Sequence, residues 1–206
     1  MIKIENINVY GWEPAIRGMR NPMNSWDKSD TIFDGNKWCL GENDLKLMQS
    51  LSKAGTDHSK FLRMIVVTMD ITAPQFWWAE ADTYKVGTVR NSCSKMHRIH
   101  SKEFSHNDFS HGAIYEIAYA KDVFIKVRSV CERLRKDFNE TGDKKYWRAL
   151  IELLPEGYNM RATWQGNYQI LKNMYNARRQ HKLDCWVDFC KWIETLPYAK
   201  ELICGE

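Results

Sequence analysis

Two groups of polar residues have the types and spacing to do chemistry. Asn167, Asn173 and Arg178 fall on one predicted helix. Asn167 and Arg178 are eleven residues apart, close to three turns at about 3.6 residues per turn, so both project from one face and Asn173 flanks it. Two amides and a guanidinium in a row offer donors to a base edge or a phosphate, and arginine can grip a phosphate with two parallel bonds. The competing reading is a polar face turned to water. The second group is the stretch Lys85–Met96, with Lys85, Arg90 and Lys95 among Gly87, Thr88, Asn91, Ser92 and Ser94. A glycine, small hydroxyls and cations suit phosphate binding through backbone N–H groups and charge. The G-x-x-x-x-G-K-[ST] spacing of a P-loop is absent, and a plain polar turn fits these residues equally well.

Other candidates carry a weaker signal. His97, His100, His106 and His111 cluster near Glu103 and Asp108, but their spacing matches no zinc pattern, so no metal is expected and hydrogen-bonded or surface imidazoles are. Trp77-Trp78 beside Phe76 could stack on a base or a flavin ring, although core packing is the commoner fate of such a cluster. Lys126, Arg128, Arg133, Arg135 and Lys136 are interrupted by Glu132 and Asp137, which reads as a solvated helix face rather than a nucleic-acid track.

The elements that position these residues follow from periodicity. The first residues read as an amphipathic strand. Residues 12–40 are rich in turn formers (Arg20-Asn21-Pro22-Met23-Asn24, Asp34-Gly35-Asn36) and are expected to be irregular, pinned by Trp12, Trp26 and Trp38. Asn43 or Asp44 is a candidate cap for a helix carrying Leu45, Leu47, Met48 and Leu51, ended by Gly55. Ile65, Val67, Met69 and Ile71 alternate as one face of a central strand, and Ala73-Pro74 opens a short helix. Residues 108–138 have helical spacing, with Val123, Val127, Val130, Leu134 and Phe138 as the apolar stripe. Further helices are predicted from Asp143 to Leu154, from Asn167 to Arg179 and from Asp184, with a short strand over Arg161–Trp164. Helices and strands do not alternate regularly, which favours α+β over a doubly wound sheet.

The chain has 206 residues, 44% hydrophobic and 27% charged, with a formal net charge of +4. That fits a single globular domain spanning 1–206, large enough to bury a core without disulfides or metals. The mild positive charge suits a small anionic ligand and gives no dense basic stripe, so no nucleic-acid partner is expected. No window approaches the roughly 18 apolar residues of a membrane span, and the N-terminus does not read as a signal peptide. A cytoplasmic protein with six reduced cysteines is the expectation.

Three blocks resemble the flavin-dependent thymidylate synthases. In that family a His, then Leu-Glu-His four residues later, leads into a hydrophobic alternation closed by Ile. Here His58, Leu62 and Ile71 fall at those places, with Arg63 and Met64 replacing Glu and His. The signature R-H-R-x-x-S-x-N-E-x-S-x-R falls on residues 84–96: Asn91 and Ser94 match. Tyr84, Lys85 and Val86 replace Arg-His-Arg, Val89 the first Ser, Ser92 the Glu and Met96 the last Arg. Leu154-Pro155, a strand and N-x-R-x-x-x-N-x-x-x-x-R follow in the family. Here Asn167, Asn173 and Arg178 match and Gln169 departs.

The resemblance implies an α+β fold with a central, mostly antiparallel sheet flanked by helices, assembled as a homo-oligomer, most simply a tetramer. It implies flavin contacts at Asn167 and Asn173 and a nucleotide contact at Arg178; His58 and Tyr84 are further candidates for the cofactor, and Lys85, Arg90, Asn91, Ser92 and Ser94 candidates for the nucleotide. The implied cofactor is FAD and the implied partner a small nucleotide. The family's reaction moves a one-carbon unit from methylene-tetrahydrofolate to C5 of dUMP, with reduced FAD supplying the hydride. No catalytic residue is assigned. With Arg-His-Arg replaced, a nucleotide-binding or nucleotide-sequestering protein, for instance one that holds a signalling or cyclic nucleotide, stands beside the enzymatic reading.

Overall fold

The computed structural model describes residues 2–35 and 37–205, so Asn36 of the expected 34–36 turn lies outside the described residues. In chain order the elements are β1 (Lys3–Tyr10), α1 (Trp12–Arg20), β2 (Ile32–Asp34), β3 (Lys37–Cys39), α2 (Glu42–Lys53), β4 (Val66–Pro74), α3 (Gln75–Ala81), β5 (Val89–Ser92), α4 (Lys95–Arg98), α5 (Gly112–Glu116), α6 (Ala118–Thr141), α7 (Lys144–Leu153), β6 (Asn159–Asn167), α8 (Tyr168–Arg178) and α9 (Asp184–Ile193). The architecture is α+β with a mostly antiparallel sheet flanked by helices. Hydrogen-bonded strands run in the order β1-β4-β6-β5, and β2 pairs with β3 as an antiparallel hairpin. No helix among the described residues is long and apolar enough to cross a membrane.

The chain forms two compact units, Met1–Lys3, Ile71–Thr83 and Asn91–Ala162 in the first, and Ile4–Asp70, Tyr84–Arg90 and Thr163–Glu206 in the second. It passes from one to the other within β1, β4, β5 and β6, and once between Thr83 and Tyr84 after α3.

In the first unit the core is Ile99, Phe104, Phe109, Phe124, Cys131 and Leu150, with Val127, Leu134 and Trp147 packed against it. The expected stripe on α6 holds at Val127, Leu134 and Phe138 but not at Val123 and Val130. Val123 and Val130 are 58% and 47% exposed, while Phe124 and Cys131 are buried. The packed line is Phe124, Val127, Cys131, Leu134 and Phe138, in which Phe124 and Cys131 take the places expected of Val123 and Val130. Spacings of three and four residues both fit one helix face, and here the larger Phe124 rather than Val123 takes the core side. The helical stretch is also broken, with Ile117 extended between α5 and α6. Helix α7 behaves as expected: the Asp143 side chain caps it by accepting from Lys145 N, and it ends before Pro155. Trp77 and Trp78 are buried edge-to-face, and Trp78 donates to the Met160 carbonyl, so this pair is core rather than a stacking platform. The bond from Gln75 N to Tyr158 O runs between the ends of β4 and β6.

In the second unit Ile65, Val67 and Met69 are buried as the alternation requires, although β4 itself begins at Val66, after a 3-10 turn over Ser59–Arg63. The bond from Tyr168 N to Ile65 O, with the Thr163 hydroxyl on Asp70, gives β4 and β6 their antiparallel register. The irregular stretch expected over 12–40 is partly helical. Trp12, Ala15, Ile16 and Met19 form the buried stripe of α1, a pattern that the turn formers around it obscured. Trp12 stacks on Trp38 at 4.9 Å, whereas Trp26 does not pin the segment and is half exposed. Gly11 precedes α1 with φ 85°, and a Cβ there would lie 2.0 Å from the Met64 carbonyl oxygen, so only glycine fits this turn.

The start of α2 is held from a distance. Its N-cap is Gly41, not Asn43 or Asp44, and Asp30 accepts from Asn43 N and Asp44 N in place of a local cap. Asp44 is buried and turns inward instead. It accepts from Arg20 Nε at 2.6 Å and from the hydroxyls of Ser29 and Thr31 and the backbone of Asp30 and Thr31. Burial alone would raise this carboxyl, but the bonds from Thr31, Ser29 and Arg20 outweigh it and hold the pKa below the usual carboxylate range.

Candidate functional site

The polar residues of α8 lie in the second unit. Asn167 ends β6 in extended conformation and caps α8, its Oδ1 accepting from Ile170 N at 3.1 Å. It therefore serves the helix as well as offering an amide Nδ2, and it is not a face residue of the helix in the way its spacing suggests. Arg178 closes the same helix. Its guanidinium lies 4.9 Å from the centre of the Trp186 ring and 5.8 Å from that of Tyr84, and its Nε donates to the Tyr84 hydroxyl at 3.1 Å. A guanidinium set against two aromatic rings is held in place and keeps its planar fork of donors, a group that suits an anion or a carbonyl edge.

The segment after α3 runs along α8. Tyr84 meets its Arg178 end, and Gly87 its Asn167 end, where a Cβ on Gly87 would come 3.2 Å from Ile170 and 3.6 Å from Asn167 Nδ2. With φ 79° and this close approach, Gly87 is the residue that lets the segment lie down on the helix. Asn173 is exposed and accepts from Gln169 Nε2, while buried Gln169 accepts from the Ser59 hydroxyl. Gln169, which departs from the family's Arg, is thus a member of a buried hydrogen-bond chain. His58 is exposed beside Ser59, and Lys85 is exposed.

The stretch from Lys85 to Met96 is not one loop. Lys85 and Arg90 belong to the second unit, and Asn91, Ser92 and Ser94 to the first. Val89–Ser92 is strand β5, and the bond from Cys93 N to Arg161 O extends its pairing. Asn91 and Ser92 are exposed, and Ser94 caps α4 by accepting from His97 N. Strand pairing overrides the turn-forming composition because each backbone bond to β6 is satisfied only in the extended form.

Nucleophilic thiols are confined to the surface. Burial pushes Cys131 up to about 11, and burial with Glu194 and Cys204 nearby pushes Cys190 up to about 12, so neither forms a thiolate near neutrality. Cys39 and Cys93 are exposed. No group of three or more His, Cys, Asp or Glu among the described residues could hold a metal. Of the four clustered histidines, His106 and His111 lie with ring centres 3.8 Å apart and planes tilted by 43°, and Tyr115 OH bonds His106 Nδ1.

No protein-family model and no curated protein matches this sequence. Solved structures do. Thymidylate synthase X (ThyX) of Helicobacter pylori, crystallised with FAD and dUMP, superposes with a TM-score of 0.73 at 17% identity, over 98% of this chain and 97% of that one. A second structure of the Helicobacter pylori flavin-dependent enzyme, also with FAD and dUMP, gives 0.72 over the same shares. The chain has the fold of the flavin-dependent thymidylate synthases.

Within that fold, the positions at which the resemblance expects Arg-His-Arg hold a half-buried Tyr84, an exposed Lys85 and a Val86 that is 92% exposed. Met96, in place of the last Arg, is 51% exposed. The partner that sequence reasoning missed is Trp186, on α9, whose ring underlies Arg178. It lies on a separate helix, so no spacing within α8 could reveal it.

Proposed function

We propose that this protein binds a pyrimidine nucleotide on a thymidylate-synthase scaffold, as a cytoplasmic, single-domain homo-oligomer. The observation that carries the reading is Arg178. It matches the arginine of the family's helix motif in the sequence, the fold is shared with a thymidylate synthase crystallised with dUMP, and its guanidinium lies against the Tyr84 and Trp186 rings. The guanidinium reaches the pyrimidine nucleotide, and Lys85 and Arg90 of the same unit supply positive charge to it.

FAD is the cofactor that the fold implies. The amide Nδ2 groups of Asn167 and Asn173 and the imidazole of His58 fit the carbonyl edge of a flavin, and Lys85 and Arg90 fit a pyrophosphate. When bound, FAD supplies hydride chemistry; the protein's part is to orient flavin and nucleotide and to supply positive charge. One observation favours a second, non-catalytic reading, in which the nucleotide is held without turnover. Tyr84 occupies a family cation position and engages Arg178 Nε, and Val86 adds no charge at another.

The experiment is a thermal-shift and titration series with dUMP, FAD and cyclic dinucleotides on the purified full chain, with its absorbance spectrum recorded first. Stabilisation by dUMP supports the reading through linkage. A yellow protein, whose flavin is reduced by NADPH and reoxidised on adding dUMP with methylene-tetrahydrofolate, selects the enzyme. Nucleotide binding without flavin selects the holder. Failure of every nucleotide to raise the melting temperature refutes both.

A further inference from the structure

Helix α1 carries Glu13, Ile16, Arg17 and Arg20 at the i, i+3, i+4 and i+7 spacing of a single helix face. In the second unit these residues line a cavity of about 420 Å³, completed by Trp26 and Ser29 from the turn that follows and by Phe33 from β2. That volume falls in the range of about 300–1,000 Å³ usual for small-molecule sites. Two rings of the wall keep open surface. Phe33 ends a column of rings: Trp12 stacks on Trp38 at 4.9 Å, and Trp38 on Phe33 at 6.1 Å with planes 15° apart. Phe33 has no further ring partner among the described residues and is 39% exposed. Trp26 is 50% exposed and likewise has no ring partner among them, yet its indole is fixed, Nε1 donating to Asn21 Oδ1 at 2.8 Å. The end of a stack and an immobilised indole beside one hollow favour a flat ring, which would cover both.

The polar side of the cavity has a donor and an acceptor to spare. Arg20 is only 4% exposed. Its Nε donates to Asp44 Oδ1 at 2.6 Å and its Nη1 to the Ser25 carbonyl at 3.1 Å, while Nη2 has no hydrogen bond among the described residues. Ser29 commits its hydroxyl hydrogen to Asp44 Oδ2 at 2.7 Å, which leaves its oxygen as an acceptor. The remaining hydroxyl of the lining, on Thr31, already donates to Asp44 and accepts from Gly41 N. Because Arg20 and Ser29 bond the two oxygens of one carboxylate, the spare donor and the spare acceptor are neighbours. Charge around the hollow is matched, with Asp44 on Arg20 and Glu13 at 3.7 Å from Arg17. An ionised ligand would lose hydration here without meeting an unmatched counter-charge, a cost that a neutral ligand avoids.

We propose that this cavity binds a planar, uncharged aromatic lactam, a ring with adjacent C=O and N–H groups, at a place apart from the Arg178 contact. The ring extends the Trp12–Trp38–Phe33 column and packs against Trp26 and Ile16. Its carbonyl accepts from Arg20 Nη2, and its N–H donates to Ser29 Oγ. A plain aromatic hydrocarbon would leave both of those groups unpaired, and a saturated lactam would leave the rings uncovered.

The test uses the full chain and isocarbostyril, a neutral bicyclic lactam, titrated by calorimetry beside its N-methyl derivative and the saturated valerolactam. Isocarbostyril is expected to bind. The N-methyl compound should bind at least about tenfold more weakly for want of the N–H, and valerolactam at least about tenfold more weakly for want of a ring to stack. A Trp26→Leu/Phe33→Leu variant, which changes two partly exposed side chains, should melt like the parent and bind isocarbostyril at least about tenfold more weakly. In the parent labelled with nitrogen-15, the Trp26 indole N–H resonance, identified by its loss in Trp26→Phe, should shift with isocarbostyril. Absence of binding, or binding that leaves this resonance unmoved, overturns the inference whether or not the double variant folds, and equal affinity for the N-methyl compound overturns the lactam assignment. If isocarbostyril binds as expected and dUMP does not bind, the cavity stands and the nucleotide reading falls. If dUMP displaces isocarbostyril and Arg178→Ala weakens both, the two sites are one and the inference is overturned.

Discussion

Replacing Arg178 with alanine lifts a guanidinium off the face of Trp186, 4.9 Å from its centre, and breaks the 3.1 Å bond to the Tyr84 hydroxyl. A partly desolvated cation–π contact contributes about 1 kcal/mol, and a hydrogen bond from a charged donor about 1.5 kcal/mol. Together they predict a loss of about 2.5 kcal/mol, or about 5–10 °C in Tm for a chain of this length. If Arg178 also contacts the nucleotide, the same substitution weakens dUMP binding at least about tenfold, about 1.4 kcal/mol. Tyr84→Phe separates the two effects. It keeps the ring under the guanidinium and removes only the acceptor, so it should cost about 1 kcal/mol of stability and leave dUMP affinity nearly unchanged. Scanning calorimetry and titration with dUMP at one ionic strength measure both quantities. An Arg178→Ala protein that melts lower but binds dUMP as tightly as the parent would show that this arginine is a structural member only.

Asp44→Asn breaks a buried pair with Arg20, and should cost about 3–5 kcal/mol by leaving that guanidinium unmatched, read as a lower midpoint in urea. Because the folded pKa of Asp44 is depressed, its stabilisation is complete above the ordinary carboxylate range and is lost as pH falls through the folded value. Acid melts should therefore show a loss below about pH 4 that the Asn variant lacks. His111 is lowered by burial and by the facing His106, so its neutral form is favoured in the fold. Its contribution is present above about pH 6.5 and fades as pH falls through the folded pKa. His111→Gln should flatten that higher window alone, and an unchanged pH profile would count against the pairing with His106. The proposed tetramer should scatter light as a species near four times 24.3 kDa. The exposed apolar side chains of α6, Tyr119, Val123 and Val130, are surface that such assembly can cover, and a stable monomer at micromolar concentration refutes it.

What could be read from the sequence rested on interactions between near neighbours in the chain. Ile65, Val67, Met69 and Ile71 are all buried because a strand turns alternate residues to one side whatever it pairs with. Helix α7 begins at its Asp143 cap and stops before Pro155, α8 begins at Asn167, and α9 begins at Asp184, since caps and breakers act within one turn. The scattered matches at His58, Asn91, Ser94, Asn167, Asn173 and Arg178 follow the order of the family's motifs along the chain, and the fold that this resemblance implied is the one shared with solved structures, although no family model matches.

Only the tertiary structure decided the rest, because the deciding partners are far apart in the chain and leave no periodic mark. Which of two adjacent apolar residues on α6 faced inward, Phe124 or Val123, depended on packing with Phe109 in the core that also holds Leu150. The start of α2 depended on Asp30, from a separate turn, reaching Asn43 and Asp44. Arg178 acquired Tyr84 from 94 residues away. Charge and hydrogen-bonding capacity are properties of single residues and are legible in a sequence. Which of these groups share one small volume is set by packing alone.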